Sequence, residues 1–273
     1  MTTLVNGSEK TQVSVNDRGL MYGQCVFETI VVNKGKPCLL DLHLERLAKG
    51  AKCLGIDFDR SVISAEVIDL AQPLTIGIIR VNLTMGEGGR GYQNPVSPTS
   101  TRIISQHDYP SYPKAYWHKG IVLGIADIRL SHQPLLAGIK HGNRLEQVIA
   151  RSQWQDSWQE ALLLDVGGNV IEATQSNVFL VKDDSLITPS LEKSGVEGVM
   201  RQTVIDVAKQ AGIDTSIQAV TLNDIKGADE VFLSNSVIGI WPVKLFEKIE
   251  YSSLTLSNKL LKIIEKNEFI PTV

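Results

Sequence analysis

The chain has 273 residues, of which 43% are hydrophobic and 21% are charged, a balance that excludes a disordered protein and fits a folded globular one. Its 27 basic and 30 acidic residues leave a net charge of -3, which argues against a chain-wide positive field for nucleic acid or anionic lipid. The sequence lacks an apolar run near the roughly 20 residues that span a bilayer, and no signal peptide is visible at the N-terminus.

The first half is predicted to consist of strands with two helices among them. Asn6-Gly7 is a hairpin signal after a strand that starts at Leu4, and a second strand is expected over Thr11 to Val15. Helical spacing of apolar residues predicts two helices, and alternation predicts further strands. The helices are expected over 41–54 and 60–70, the strands over 26–32, 75–85 and 101–105, and a glycine-rich loop over 86–91.

The segment Asp108 to Pro113 carries two prolines between periodic stretches and is interpreted as a linker. We therefore predict a small N-terminal domain over residues 1–108, an interdomain linker over 109–117, and a large domain over 118–273.

The second half is predicted to be rich in hairpins. Turns are expected at 166–168 and 183–184, each between two strands. A strand is predicted over 120–130 and another over 230–234, with helices starting near Asn143 and covering 199–211 and 254–266. Antiparallel hairpins beside helices indicate an α+β fold with two mixed domains.

The cysteines favour a reducing compartment. Cys25, Cys38 and Cys53 are odd in number and contain no CxxC pair, so neither a disulfide framework nor a zinc site is expected. The five histidines show no metal-ligand spacing, and we expect no metal. A cytoplasmic location fits these observations best.

Three elements of the second half carry possible chemistry. Lys140 ends a short segment before a helix, which by itself is typical of a solvated surface lysine. Glu172 lies on a strand among apolar and small neighbours, and alternation leaves open whether its carboxylate faces outward or is buried with a partner. Glycines open the helix that begins at Val199, and the free amides of a helix N-terminus bind phosphate.

The blocks Lys140 to Gln147, Val170 to Glu172 and Gly195 to Arg201, with Ser176 to Phe179, resemble the fold-type IV enzymes that use pyridoxal 5'-phosphate (PLP). The resemblance extends over nearly the whole chain. It implies a two-domain fold, with a smaller N-terminal α/β domain and a larger C-terminal domain rich in antiparallel strands. It also implies a homodimer.

The resemblance implies a role for each matching residue. Lys140 corresponds to the lysine that forms a Schiff base with PLP, and Glu172 to the carboxylate that pairs with the pyridine nitrogen. Arg46 corresponds to the arginine that contacts the cofactor phosphate. The remaining cofactor-binding positions are Thr29, Asn177, Val199, Met200, Asn235 and Ser236. These roles agree with chemistry, because a Schiff base needs a neutral amine and a dianionic phosphate needs amides and an arginine.

Within this family, the lysine block is similar to the aminodeoxychorismate lyases. Arg144 stands where the aminotransferases usually have Tyr or Asn, and the loop from Gly86 to Tyr92 is also similar to that of the lyases. Gly142 stands where a common lyase pattern has leucine. The resemblance implies conversion of 4-amino-4-deoxychorismate to 4-aminobenzoate and pyruvate, a step of folate biosynthesis, with Lys140 as general acid and base.

Two further questions stay open at the level of sequence. The substrate is a dicarboxylate, so arginines are its natural partners, and the candidates are Arg90, Arg102 and Arg144. The alternative function is a fold-type IV aminotransferase that acts on branched-chain or D-amino acids. A third and less favoured reading is a non-catalytic binding protein that kept the fold.

Overall fold

The structure is a computed structural model, and it describes residues 1–272. Two compact units make up the chain: Met1–Pro110 with Ile139–Asn143, and Ser111–Gly138 with Arg144–Val273. The domain limits predicted from the sequence stay a prediction, because compact packing of a segment does not establish that it folds as a domain. No helix in residues 1–272 is long and apolar enough to cross a membrane.

The first unit contains a six-stranded sheet in the order β2-β1-β6-β5-β3-β4, and every neighbouring pair is antiparallel. Its strands are β1 (Thr3–Val5), β2 (Ser8–Glu9), β3 (Cys25–Asn33), β4 (Lys36–Pro37), β5 (Ile76–Thr84) and β6 (Thr101–His107). Its helices are α1 (Arg18–Tyr22), α2 (Leu40–Leu54) and α3 (Arg60–Ala71).

Helices α2 and α3 form because each presents an apolar stripe to one face of this sheet. In α2, Leu44, Leu47 and Ala51 are buried at helical spacing, and Gly55 ends the helix in the left-handed conformation. In α3, the Asp59 side chain accepts hydrogen bonds from the first free amides and so fixes the start of the helix. The core of the first unit therefore lies on the helix side of the sheet.

Strand β3 divides its side chains between the two faces of the sheet. Val26 and Ile30 point into the helix-side core, whereas Phe27 and Thr29 alternate onto the opposite face. Residues Lys140 to Gly142 pair with the free edge of β3: the Phe27 amide donates to the Lys140 carbonyl at 3.0 Å. This pairing makes the lysine segment an additional short strand of the first unit.

The second unit contains a nine-stranded sheet, with the order β12-β11-β10-β13-β14-β7-β8-β9 and β15 paired to β14. Its strands are β7 (Ile121–Leu130), β8 (Glu160–Asp165), β9 (Val170–Ala173), β10 (Asn177–Lys182), β11 (Ser185–Pro189), β12 (Thr215–Gln218), β13 (Glu230–Asn235), β14 (Gly239–Phe246) and β15 (Ile249–Glu250). Its helices are α4 (Ala115–His118), α5 (Leu145–Ser152), α6 (Val199–Gln210), α7 (Leu222–Lys226) and α8 (Thr255–Lys266). Three of the pairings are parallel, those of β7 with β8, β7 with β14 and β11 with β12.

One predicted strand is wrong. Residues Thr11 to Val15 form no strand in the structure, and Val13 and Val15 are exposed, the latter at 73%. Polar and apolar residues alternate in this segment, but the segment has no buried face that would stabilise a strand. Other elements were missed: α1, α4 and α7 have at most five residues, too few for a period, and Pro242 interrupts the strand pattern of β14.

Candidate active site

Lys140 is held by the main chain on the face of the sheet opposite the helices. Its Nζ lies 4.5 Å from the centroid of the Phe27 ring, and its side chain is partly buried. The amide of Gly142 donates to the Cys25 carbonyl at 2.8 Å, so bonds on either side of Lys140 fix its backbone. The partly buried amine therefore has a defined position rather than a solvated one.

A buried ionic cluster lies in the same unit, on the helix side of β3. Arg46 donates from Nε to Glu28 Oε1 at 2.7 Å and from Nη2 to Glu28 Oε2 at 2.5 Å. His43 Nδ1 lies 2.6 Å from the same Oε2. The side chains of Glu28 and His43 are each 1% exposed and that of Arg46 is 11% exposed, so the cluster is almost dry.

The charges of this cluster follow from its burial. Burial raises the pKa of the Glu28 carboxyl, but the Arg46 guanidinium, His43 and their hydrogen bonds outweigh that effect and lower the pKa to about 2. Burial lowers the pKa of His43 despite the nearby carboxylate, so the imidazole is neutral at pH 7. An ionised Glu28 only accepts, so the His43 proton is on Nδ1. Nε2 of His43 is buried and has no hydrogen-bond partner within residues 1–272.

Arg80 is a candidate site residue that the sequence analysis missed. It lies opposite Thr29 in the register of β3 and β5, on the face that carries Phe27, and its Cζ is 4.5 Å from the Phe27 ring centroid. Within residues 1–272 no carboxylate forms an ion pair with the Arg80 guanidinium. Burial lowers the pKa of Arg80. The sequence signal for Arg80 was a charged residue within an otherwise largely apolar strand, β5. Thr29, a predicted cofactor-binding residue, lies beside Arg80.

Two of the predicted substrate arginines lie in the first unit in different surroundings. Arg102 forms a two-bond ion pair with Glu66, at 3.1 and 2.8 Å. Its register partner in β5 is Leu83, which points into the helix-side core, so Arg102 lies on the sheet face opposite to Phe27. Arg90 is exposed on the glycine-rich loop.

The glycine-rich loop is fastened by a buried arginine. Arg18 donates from Nη1 to the Gly91 carbonyl at 3.0 Å and from Nη2 to the Tyr92 carbonyl at 3.3 Å. Its Nε donates to Gln24 Oε1 at 2.6 Å. The backbone next to Arg90 is thus tied to the residue that precedes β3, while the Arg90 side chain is exposed.

In the second unit, Glu172 is buried on β9. Its Oε2 accepts a hydrogen bond from the Val196 amide at 2.8 Å. This resolves the alternative that alternation left open, because the carboxylate faces inward and has a partner. The Gly138 amide donates to the Gly195 carbonyl at 2.9 Å, so the loop before α6 is pinned from two sides.

The N-terminus of helix α6 has the features of an anion-binding site. Gly198 is its N-cap in an extended conformation, and no side chain caps the helix, so the first-turn amides at Val199 and Met200 have no side-chain acceptor. Asn177 donates from Nδ2 to the Val196 carbonyl at 2.9 Å. A Cβ at position 198 would clash with Asn177 Oδ1, so only glycine lets the asparagine brace this loop.

Asn235 shapes a second loop in this unit. Its Nδ2 donates to the Gln175 carbonyl at 3.2 Å and to Ser176 Oγ at 3.1 Å, while its Oδ1 accepts from the amides of Val237 and Ile238. The Asn235 side chain is therefore used within the protein. A hydrogen bond from this loop to a ligand would therefore have to come from residues that follow Asn235, beginning with Ser236. Arg144, the third predicted substrate arginine, is the N-cap residue of α5.

The donor set fits PLP. The first unit supplies a partly buried amine at Lys140 and a guanidinium at Arg46, together with an orphaned buried nitrogen on His43. The second unit supplies an inward carboxylate at Glu172 and an uncapped helix N-terminus at Val199. The aldehyde requires the amine, the dianionic phosphate requires the guanidinium and the helix amides, and the pyridine nitrogen requires the carboxylate.

Comparisons with known proteins agree with this chemistry. The family described as amino-transferase class IV matches residues 25–246. The chain is 37% identical over 242 residues to an aminodeoxychorismate lyase of Vibrio harveyi, a match that covers 88% of this chain and 89% of the relative.

Two solved structures are similar over nearly the whole chain. A 4-amino-4-deoxychorismate lyase of Pseudomonas aeruginosa has a TM-score of 0.95 and 40% identity, covering 98% of this chain and 100% of that one. The branched-chain amino acid aminotransferase of Escherichia coli has a TM-score of 0.86 and 26% identity, covering 98% and 94%. These matches confirm the predicted α+β fold of type IV. The chain belongs to the class IV aminotransferase family.

Proposed function

We propose that the protein is a PLP-dependent lyase that converts 4-amino-4-deoxychorismate to 4-aminobenzoate and pyruvate, a step of folate biosynthesis. The observation that carries the proposal is the placement of Lys140 and Arg80 against the ring of Phe27. Lys140 Nζ and Arg80 Cζ each lie 4.5 Å from the ring centroid, so they are separated by no more than twice that distance. An amine that can hold the cofactor thus lies near a cation that can hold a substrate carboxylate.

The cofactor is PLP, and its ligands come from the residues described above. Lys140 would hold it covalently, and Glu172 would accept a hydrogen bond from the protonated pyridine nitrogen. Arg46 and the amides of Val199 and Met200 neutralise the phosphate. Thr29, Asn177, Asn235 and Ser236 complete the set, with Asn177 and Asn235 acting through the loops that they brace. When bound, PLP supplies an electron sink for the electron pair left after a C–H bond breaks.

Lys140 moves the protons of the reaction. Its neutral amine removes the proton from the ring carbon that bears the amino group. The same nitrogen then returns a proton to the enolpyruvyl group as its C–O bond to the ring breaks. The ring becomes aromatic, and this gain in stability favours the elimination. One side chain serves both steps because the two positions are on adjacent ring carbons.

Substrate carboxylates are bound by arginines, and we assign Arg80 to one of them. It shares the Lys140 face and has no carboxylate in ion-pair distance among residues 1–272. Arg90 and Arg144 remain candidates for the other carboxylate. Arg102 is a weaker candidate than Arg80, since Glu66 already occupies its guanidinium.

The test is to incubate the purified protein with 4-amino-4-deoxychorismate and to measure both products. Equal amounts of 4-aminobenzoate and pyruvate are expected, and Lys140→Ala is expected to make neither. Borohydride treatment should add the mass of the cofactor to the peptide that contains Lys140. A protein that yields no aromatic product under these conditions would overturn the lyase assignment.

The alternative is an aminotransferase, which the similarity to the Escherichia coli branched-chain enzyme supports. Incubation with branched-chain or D-amino acids and 2-oxoglutarate decides between the two. Sustained glutamate formation without any 4-aminobenzoate from aminodeoxychorismate would favour the aminotransferase. The cofactor assignment is the same for both enzymes.

The enzyme is proposed to act as a cytoplasmic homodimer. Helix α5 exposes three large apolar side chains, Leu145, Val148 and Ile149. Contact with a second copy of the chain would remove them from water. The three cysteines, odd in number and without a CxxC pair, suit a reducing compartment. Light scattering after size-exclusion chromatography tests the dimer, for which twice the chain mass of 30.0 kDa is expected.

A further inference from the structure

We infer that Glu28 and His43 are positioning residues that fix the orientation of the Arg46 guanidinium toward the cofactor phosphate. The inference rests on the proposed function, because it assigns a role at the same cofactor. Neither residue was a candidate in the sequence, where Glu28 is one charge in a strand and His43 one of five scattered histidines.

The hydrogen bonds determine the edge of Arg46 that is in use. Glu28 takes the side edge, formed by Nε and Nη2, through both of its oxygens. A guanidinium is planar and carries five N–H groups in fixed directions, so occupying one edge fixes the directions of the others. The two bonds to Glu28 therefore set the orientation in which Arg46 can meet an anion.

His43 fixes the carboxylate in turn. It precedes Arg46 by one helical turn on α2, and its Nδ1–H donates to the oxygen that also accepts from Arg46 Nη2. Glu28 thus cannot rotate without breaking bonds to two partners. The buried, unpartnered Nε2 of His43 shows that the cluster does not satisfy itself completely within residues 1–272.

Positioning and plain electrostatics predict opposite results for Glu28→Gln. Glu28 is an anion near the proposed phosphate, so removing its charge should strengthen phosphate binding if charge alone matters. If orientation matters, the freed guanidinium gains rotamers that do not face the phosphate, and binding weakens. The sign of the change in PLP affinity therefore decides the question.

The experiment compares PLP with pyridoxal, which has the aldehyde but no phosphate, in titrations followed by visible absorbance. For Glu28→Gln we expect about tenfold weaker PLP binding, the size of one lost charge-assisted hydrogen bond, and pyridoxal binding within about twofold of the unaltered protein. PLP binding that is unchanged or tighter would overturn the inference. Equal losses for both aldehydes would also overturn it, since they would indicate damage to the lysine segment.

A double-mutant cycle with Arg46→Lys provides the matched control. Lysine has no guanidinium edge to orient, so Glu28→Gln should cost little additional PLP affinity in that background. An undiminished loss in the presence of Arg46→Lys would show that Glu28 does not act through the guanidinium. The thermal midpoint of each apo variant confirms that the proteins compared are folded.

Two variants of His43 test its part. His43→Asn retains a donor in the place of Nδ1, whereas His43→Leu has none. We expect the leucine variant to lose more affinity for PLP than the asparagine variant, with pyridoxal again unaffected; equal losses would remove His43 from the proposal. Failure of the inference stays distinct from failure of the proposed function, because the unaltered protein would still bind PLP and release 4-aminobenzoate.

Discussion

At the scale of single residues, the surroundings of a charged side chain indicate more than its type. Arg80 and Arg102 both lie in the sheet of the first unit, yet of the two only Arg102 has a carboxylate partner within residues 1–272, which is Glu66. The guanidinium of Arg80 contacts the face of the Phe27 ring. Breaking this contact costs less free energy than breaking an ion pair. A dicarboxylate substrate would therefore find Arg80 better prepared to bind it.

We predict that Arg80→Gln raises KM for aminodeoxychorismate by about 10- to 100-fold, the loss of one hydrogen-bonded charge pair of roughly 1.5–3 kcal/mol. The visible spectrum of the bound cofactor should be unchanged, because Arg80 is not among the proposed cofactor ligands. Arg102→Gln is the matched control and should change KM by less than about twofold, since its guanidinium is already paired. Steady-state kinetics of the two variants checks this, and the reverse ranking would return Arg102 to the substrate.

At the scale of elements, Glu160 shows how one buried carboxyl supports a loop. It opens β8, and its Oε2 accepts from the Gln175 amide at 3.1 Å and from Ser176 Oγ at 3.2 Å. Burial raises the pKa of Glu160 to about 7, even though these hydrogen bonds act in the other direction. Asn235 binds the same Ser176 hydroxyl, so the carboxyl lies behind the loop that leads to Ser236.

The sign of the resulting pH dependence follows from linkage. A carboxyl with a raised folded-state pKa favours the folded state when protonated, and this advantage is lost as the pH rises from about 4.5 to about 7. Glu160→Gln is always neutral, so it should increase the free energy of unfolding at pH 8 relative to the unaltered protein by roughly 1–3 kcal/mol. At pH 5 the difference should be small. Urea unfolding at both pH values measures it, and a gain at pH 5 alone would contradict the argument.

A second element-scale feature is the fit between β3 and the lysine segment. A Cβ at Gly142 would clash with the Sγ of Cys25, so the thiol fills the space in which a side chain at position 142 would lie. The lyase pattern with leucine at this position therefore needs a smaller neighbour on β3. The departure from that pattern has a steric explanation in this chain.

We predict that Gly142→Leu alone destabilises the protein by about 1–3 kcal/mol, as overpacking usually does, and weakens PLP binding by displacing Lys140. Adding Cys25→Gly should recover most of both losses, because it removes the atom that clashes. Thermal unfolding and PLP titration of the two single variants and the double variant test this coupling. Strictly additive effects would show that the two positions do not share the space.

At the scale of the whole molecule, the sequence predicted those helices and turns whose signals lie within a few consecutive residues. Helix α2 followed from apolar spacing, and the turn after β10 from Asp183-Asp184. The family blocks pointed to Lys140 and Glu172, whose roles stay predictions. The Glu28 cluster and Arg80 were not found because their meaning depends on partners distant in sequence, on α2 and on β3. A single sequence shows no such pairing, and its buried charges look like surface ones.

The proposed cofactor is bound covalently by Lys140, and the folded chain supplies its other proposed ligands, among them Glu172. A ligand that binds only the folded state stabilises it by about 2.7 kcal/mol at one hundred times its Kd. PLP should therefore raise the thermal midpoint of the protein. Differential scanning calorimetry of the apo and PLP-loaded protein measures this. Lys140→Ala should show a much smaller shift, because it lacks the covalent bond. An equal shift in this variant would contradict covalent attachment of the cofactor at Lys140.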